Sequence, residues 1–273
     1  MASWPPWGQR ASIFAQGNGW RRNASSREAA ASKSASLGAA SFVAGAQIFT
    51  LGVLLYYVPM EQLNMGLLLF LALCYNAAMV WNWAPNPGFV SDTEEPRSEE
   101  EKSILRWCRV CRLWQPLRAK HCEKCERCVR KYDHHCFWIG GCVGEANHLR
   151  FYLLLTITFI YLLYLFPNVM KCFKFRGHAT MDAAMLRNFI PFILIVVNGF
   201  MAFLIFALWV VHCVLLVGNL TTWEFSSRHR ITYLSSRKGN PFNRGLCSNI
   251  SFLFQRQPIN WSLVMKRSDS DLV

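Results

Sequence analysis

The stretch Cys108–Cys142, CRVCRLWQPLRAKHCEKCERCVRKYDHHCFWIGGC, gathers seven of the chain's 11 cysteines and three of its 7 histidines. Its spacing is Cys108-x2-Cys111, then His121-Cys122-x2-Cys125-x2-Cys128, then His134-His135-Cys136, then Cys142. Two thiolates two residues apart can grip one tetrahedral ion from a tight turn, so Cys/His pairs at this spacing read as zinc ligands. Two structural zinc sites consume roughly eight ligands. The segment offers ten, so one Cys and one His are left over. They fall most naturally in Asp133-His134-His135-Cys136, where a carboxylate, two imidazoles and a thiol stand together. Zinc has no need of Asp133 here. A nucleophilic thiol gains from a base, and the base from an orienting carboxylate. Spacing alone leaves open which histidine serves which role.

Outward from this stretch the sequence turns apolar. No Asp, Glu, Lys or Arg occurs in 34–60, 62–91, 151–170 or 188–223. Each gap holds a run long enough to cross a bilayer, which takes about 20 apolar residues: 39–58, 64–83, 150–170 and 191–217. Hydrophobic residues make up 53% of the chain of 273 residues and charged ones 16%, against about 25% in a soluble domain. That excludes disorder, collagen and a coiled coil for the bulk of the chain. It also weighs against a plain soluble enzyme, since four such runs leave too little polar sequence to cover them. The expected fold is an all-α membrane protein: a four-transmembrane-helix bundle with a small two-zinc cysteine-rich cytosolic domain between the second and third spans.

Basic residues orient it. Four spans place both termini on one side, together with the central segment. That side carries five Lys/Arg in 1–38, 11 in 84–149, Arg150, and 8 in 218–273. The opposite side has Lys171, Lys174, Arg176 and Arg187. By the positive-inside rule, the termini and the cysteine cluster are cytosolic. Cytosolic thiols stay reduced, which removes a disulfide framework as the reading of the cluster. The net charge of +13 points to an anionic partner, and the hydrophobicity favours lipid or a phosphorylated cofactor over nucleic acid. The division expected is a disordered cytosolic arm (1–38), spans one and two (39–83), linker and zinc domain (84–149), spans three and four with a lumenal loop (150–217), and a cytosolic C-terminal region (218–273). The arm's Ser/Ala/Gly-rich composition is also that of a transit peptide. Ser91–Glu101 reads as an acidic linker.

Three other uses of the cluster fit less well. A nucleic-acid finger presents its ligands on a free module, whereas this one is tethered between spans. A RING-type ligase would close with another Cys-x2-Cys; this chain closes with Cys136-x5-Cys142. A purely structural ribbon does not require the extra Asp, His and Cys.

The whole pattern resembles the DHHC protein S-acyltransferases, membrane enzymes that attach palmitate to protein cysteines. The resemblance runs from Cys108 to Phe151 and includes Asp133-His134-His135-Cys136, Cys142-Val143-Gly144 and Asn147. Beyond it, Thr221-Thr222-Trp223-Glu224 is similar to the family's TTxE motif, and Gly245-x3-Asn249 with Phe254 to its C-terminal motif. Asn86-Pro87-Gly88 is similar to its DPG motif, with Asn for Asp. The resemblance implies an interleaved pair of structural Zn2+ sites, one held by Cys108, Cys111, His121 and Cys128, the other by Cys122, Cys125, His135 and Cys142. It leaves Cys136 as nucleophile, His134 as base and Asp133 as its orienting carboxylate, with palmitoyl-CoA as co-substrate. Protein substrates with membrane-proximal cysteines, acyl-CoA and the bilayer are the implied partners, and a Golgi or endoplasmic reticulum membrane the implied location.

Three further residues are candidates for acyl-CoA contact. Trp138 is two residues from the nucleophile, Tyr161 lies about 16 Å past Arg150 at about 1.5 Å per residue, and Thr222 by resemblance bonds near Asp133. Arg118, Lys120, Arg127 and Arg228 are candidate phosphate contacts, with an anionic lipid surface as the alternative. The chain departs from the family after Cys136. Phe137 stands where most members have Pro, and Gly140-Gly141 where they have Asn-Asn. A catalytically silent zinc-ribbon scaffold is therefore the competing reading. Asp271-Leu272-Val273 has the form of a PDZ ligand.

Overall fold

The computed structural model describes residues 37–83, 86–91, 96, 98–99, 102, 105–174, 180–235, 239–255 and 257–270. Four helices are long and apolar enough to cross a membrane: α1 (Leu37–Tyr57), α2 (Met65–Asn82), α3 (His148–Met170) and α4 (Met181–Val217). They fall on the four charge-free runs, and α4 extends ten residues before the expected start at 191. Side-chain caps set two of the starts. Asn64 accepts from the Leu67 N–H ahead of α2, and Thr180 from the Ala183 N–H ahead of α4. α3 packs against both α2 and α4. Only 11–33% of each span is buried within the protein. Phe42, Phe70, Leu73, Phe189 and Phe203 are among the exposed side chains. Leaving each in water would forfeit about 1.5–3 kcal/mol, so these faces call for an apolar solvent.

The expected all-α class needs one correction. The cysteine-rich segment is built from three antiparallel hairpins: β1 (Arg106–Cys108) with β2 (Leu113–Gln115), β3 (Lys120–Cys122) with β4 (Arg127–Val129), and β5 (His134–Cys136) with β6 (Gly141–Val143). Three-residue strands are too short to show an alternating pattern in sequence. Their turns are tight because each contains a residue with a left-handed backbone, Arg112 at φ 56°, Glu126 at φ 48° and Gly140 at φ 63°.

The hairpins are tied to the flanking chain. Asn86 Oδ1 accepts from the N–H groups of Gly88 and Phe89. The turn at Gly88 (φ 91°) then accepts from Arg130 N–H at 2.9 Å. A Cβ on Gly144 would stand 2.5 Å from Val129 Cγ1 and 2.6 Å from the Pro87 carbonyl, so only glycine lets these segments meet. After α4, the short helices α5 (Thr222–Ser226), α6 (Thr232–Ser235), α7 (Leu246–Ser251) and α8 (Trp261–Ser270) complete the described chain. Leu117 of the cysteine-rich segment shares a hydrophobic cluster with Ile231, Leu234, Phe242, Ile259 and Trp261. The expected arm up to residue 36, most of the acidic linker, Arg176 and the terminal tripeptide lie outside the described residues.

Candidate active site

The central hairpin explains the interleaving of the ligands. His121 and Cys122 are successive strand residues and so point to opposite faces. His121 pairs across the hairpin with Cys128 and joins Cys108 and Cys111; Cys122 joins Cys125, His135 and Cys142. In each group the ligand atoms lie within 4.8 Å of one another. Cys111 Sγ is 3.2 Å and Cys128 Sγ 4.0 Å from His121 Nδ1. Cys125, Cys122 and Cys142 Sγ are 3.3, 3.6 and 3.6 Å from His135 Nδ1, and Cys125 and Cys142 sulfurs are 3.4 Å apart. A tetrahedral zinc with Zn–S near 2.3 Å has edges of about 3.5–3.8 Å, so both clusters are shaped to hold a metal ion. The grouping is the one expected.

His134 and Cys136 are in neither cluster. They occupy the ends of β5, and His135 between them points the other way, into the second cluster. The His134 Nδ1–H donates to Asp133 Oδ2 at 2.7 Å. The Cys136 thiol, itself buried, stands two residues along the same strand and also favours charge on His134. Thr222 closes on the other side of Asp133. Its hydroxyl donates to Oδ2 at 2.8 Å and its N–H to Oδ1 at 2.7 Å. Asp133 is 1% exposed. Burial would raise its pKa, but the bond from His134, the nearby His148 and the Thr222 N–H hold the carboxyl well below the usual carboxylate range. Burial likewise opposes charge on His134; the bond to Asp133 and the neighbouring Cys136 win, and its pKa rises to about 9.

Two residues at this site went unrecognised in the sequence. His148, on the first turn of α3, places Nε2 4.0 Å from Asp133 Oδ1. His212, near the end of α4, lies with its ring centroid 6.1 Å from that of His134, and both rings pack edgewise on Phe151 at 5.2 Å. A signal for His212 existed: an ionisable side chain inside a transmembrane run is by default a functional candidate.

The other sequence candidates are scattered. Phe137 and Trp138 are exposed and pack edge to face at 5.7 Å, while Ile139 behind them is fully buried. Tyr161 is buried and stacks on Tyr75 of α2 at 5.8 Å. It lines a cavity of about 190 Å3 with Thr50, Leu54, Leu68, Asn76 and Leu165. Tyr152 and Thr156, one to two turns earlier, instead bond Cys213 and Trp209 of α4. Of the candidate phosphate contacts, Arg118 is 1% exposed and bound to Glu224, so it is withdrawn from that role. Lys120 stands over the Tyr132 and Trp223 rings, Arg127 over Phe89, and Arg228 donates to the Gly239 carbonyl. Asn249 is a brace: it bonds the Val217 carbonyl at the end of α4 and accepts from Arg244 N–H.

Residues 101–229 match the family model for the DHHC palmitoyltransferase. The chain carries a DHHC palmitoyltransferase domain. Curated relatives share it. The chain is 41% identical over 181 residues to palmitoyltransferase ZDHHC12 of Homo sapiens, covering 62% of this chain and 66% of that protein. It is 40% identical to ZDHHC12 of Mus musculus over the same shares. The putative ZDHHC-type palmitoyltransferase 7 of Dictyostelium discoideum is 38% identical over 59% of this chain and 37% of its own length. The chain thus spans less than two thirds of the length of these relatives. The DHHC domain contains both metal-ligand clusters and the Asp133, His134, Cys136 and Thr222 constellation, and it closes within the helices that follow α4.

Proposed function

We propose that the protein is an S-acyltransferase that moves palmitate from palmitoyl-CoA to cysteine thiols of protein substrates. The observation that carries this reading is the hydrogen-bonded order Thr222–Asp133–His134, with Cys136 at the other end of the same strand and the residue between them in a metal cluster. Cys136 is the nucleophile. His134 takes the thiol proton, and its Nδ1–H bond to Asp133 fixes the tautomer and favours the imidazolium. The sulfur forms a bond to the thioester carbonyl carbon, the bond to CoA sulfur breaks, and the proton passes to the departing thiolate. In the second step His134 deprotonates the incoming substrate thiol, which takes the acyl group and releases Cys136.

The two clusters, Cys108, Cys111, His121, Cys128 and Cys122, Cys125, His135, Cys142, suit structural zinc, since protein fills every position and none is open to substrate. Zinc supplies rigidity there: it clamps the three hairpins and so fixes the strand that carries His134 and Cys136. Lipid-facing spans suit an acyl donor, whose chain gains about 0.8 kcal/mol per buried CH2 in an apolar site. The positive-inside bias supports a cytosolic site and termini; the family resemblance is what points to a Golgi or endoplasmic reticulum membrane. Purified protein given palmitoyl-CoA should acquire a hydroxylamine-labile acyl group on Cys136 and pass it to a peptide thiol. A zinc-loaded, folded protein that never acylates would instead support the silent scaffold.

A further inference from the structure

Arg118 is the largest fully buried side chain among the described residues, and all three nitrogens of its guanidinium are bonded. Nε and Nη2 donate to the two oxygens of Glu224 at 2.8 and 2.7 Å. Nη1 and Nη2 donate to Asn219 Oδ1 at 3.1 Å and to its carbonyl at 2.8 Å. The rings of Phe242 and Trp261 lie 4.4 and 4.3 Å from its Cζ. A planar fork bonded through all three nitrogens and walled by two aromatic rings is a geometry that Lys cannot reproduce.

The partner Glu224 has a second task. Its Oε2 accepts from the Thr221 N–H at 3.0 Å, while Thr221 Oγ1 accepts from the Glu224 N–H at 3.1 Å. This capping box fixes the first turn of α5. Thr222 is the first residue of that turn, and it is Thr222 that presents both its hydroxyl and its N–H to Asp133. Arg118 also reaches the same carboxylate along the backbone, since its carbonyl accepts from the N–H of Tyr132, the residue before Asp133, at 2.9 Å.

We propose that Arg118 is a positioning residue for the Asp133–His134–Cys136 site: through Glu224 it sets where the Thr222 hydroxyl and amide meet Asp133. The inference rests on the transferase reading above and adds a residue to it. Arg118 touches neither nucleophile nor base. The effect of its side chain runs through Glu224 to Thr222, so it should shrink when the Thr222 hydroxyl is removed.

The test is a double-mutant cycle on the full-length, zinc-loaded protein in lipid nanodiscs. Arg118→Lys, Glu224→Gln and Thr222→Val are each made alone, and each of the first two is combined with Thr222→Val. Two rates are read: single-turnover acylation of Cys136 by palmitoyl-CoA, and alkylation of Cys136 by iodoacetamide without any acyl-CoA. Displacing a catalytic group by a fraction of an ångström to one ångström costs up to about 100-fold. Each single change should therefore slow both rates by roughly 10–100-fold. KM for palmitoyl-CoA should stay within about twofold, and Arg118→Lys should cost several-fold less once Thr222 is Val, where only the backbone N–H still meets Asp133.

Unchanged rates in folded Arg118→Lys would overturn the proposal, as would losses that multiply in the double variant. Should Arg118→Lys fail to fold, Glu224→Gln, which keeps an acceptor for the Thr221 N–H, decides through the same cycle. A wild-type protein that alkylates but never acylates sinks the transferase reading instead. The alkylation cycle then still decides the role of Arg118.

Discussion

His148 Nε2 stands 4.0 Å from Asp133 Oδ1, the carboxylate oxygen that His134 does not hold. Asp133 therefore lies between two imidazoles, with Thr222 bridging both of its oxygens. A carboxylate so surrounded has no rotational freedom left, and each neighbour tests a different part of its role.

Asp133→Asn keeps the size and removes the charge. An amide cannot accept from His134 and twice from Thr222 at once, so a buried donor is left unpaired. Acylation of Cys136 should fall by about 10²–10⁴-fold, the range for disabling general acid–base catalysis. His148→Leu should cost less, because its nitrogen is beyond hydrogen-bonding range. Single-turnover rates give the order; a larger loss at His148 would show that His148, not Asp133, orients the base.

The Asp133–His134 pair should also make stability depend on pH, and the sign is fixed. His134 is raised to about 9, so its contribution is complete below its unfolded pKa near 6.5 and is lost as pH rises through about 9. Asp133 is depressed, so its share is present above its unfolded pKa near 3.9 and fades only in strong acid. Asp133→Asn should thus destabilise the protein more at pH 6 than at pH 9.5. Equal melting shifts at both values would contradict the pairing.

His134→Ala removes the proton acceptor but not the thiol. Acyl-enzyme formation should slow, and raising the pH should restore part of it by ionising Cys136 directly. Cys136→Ser should abolish it at every pH. Acylation surviving in Cys136→Ser would assign the chemistry to another thiol.

Metal analysis should find two zinc ions per chain. Cys111→Ser and Cys125→Ser each break one cluster and should unfold the cysteine-rich domain, because structural zinc binding is coupled to folding. Cys136→Ser should retain both ions. Loss of one ion on that change would move Cys136 into a cluster and displace one of the eight assigned ligands.

Tyr161 stacks on Tyr75 and lines a cavity between α1, α2 and α3. Truncation should deepen it, so Tyr161→Ala should shift preference toward acyl-CoAs longer than sixteen carbons. Competition between palmitoyl- and stearoyl-CoA reads this directly. An unchanged profile in a folded, active variant would place the acyl chain elsewhere.

The four spans could be read from charge-free runs because bilayer crossing is a length and composition requirement. The interleaving of ligands needed the family pattern. The alternation that explains it, His121 to one face and Cys122 to the other, becomes visible only once β3 is known to be a strand. The first two hairpins escaped notice, since Arg112 and Glu126 turn the chain where glycine would have announced it; the third turns at Gly140, but its strands are too short to alternate visibly. Arg118 was misread as a surface cation. Its partners stand 101 and 106 residues further on, and no local pattern encodes a contact at that distance. His148 was missed for the same reason, since its meaning comes from α3 and β5 meeting at one carboxylate; His212 was legible as an ionisable group inside a span and was passed over.

The burial of Arg118 bears on how the chain is made. Glu224 leaves the ribosome 106 residues after it, once the third and fourth spans have been synthesised, and the Trp261 wall comes later still. Until then the guanidinium has no carboxylate and cannot be taken out of water at tolerable cost. Metal loading of the hairpins can begin early, but Thr222 reaches Asp133 only after the fourth span has left the ribosome. A chain interrupted before that point would carry Asp133, His134 and Cys136 without the residue that braces the carboxylate, so the site is completed last.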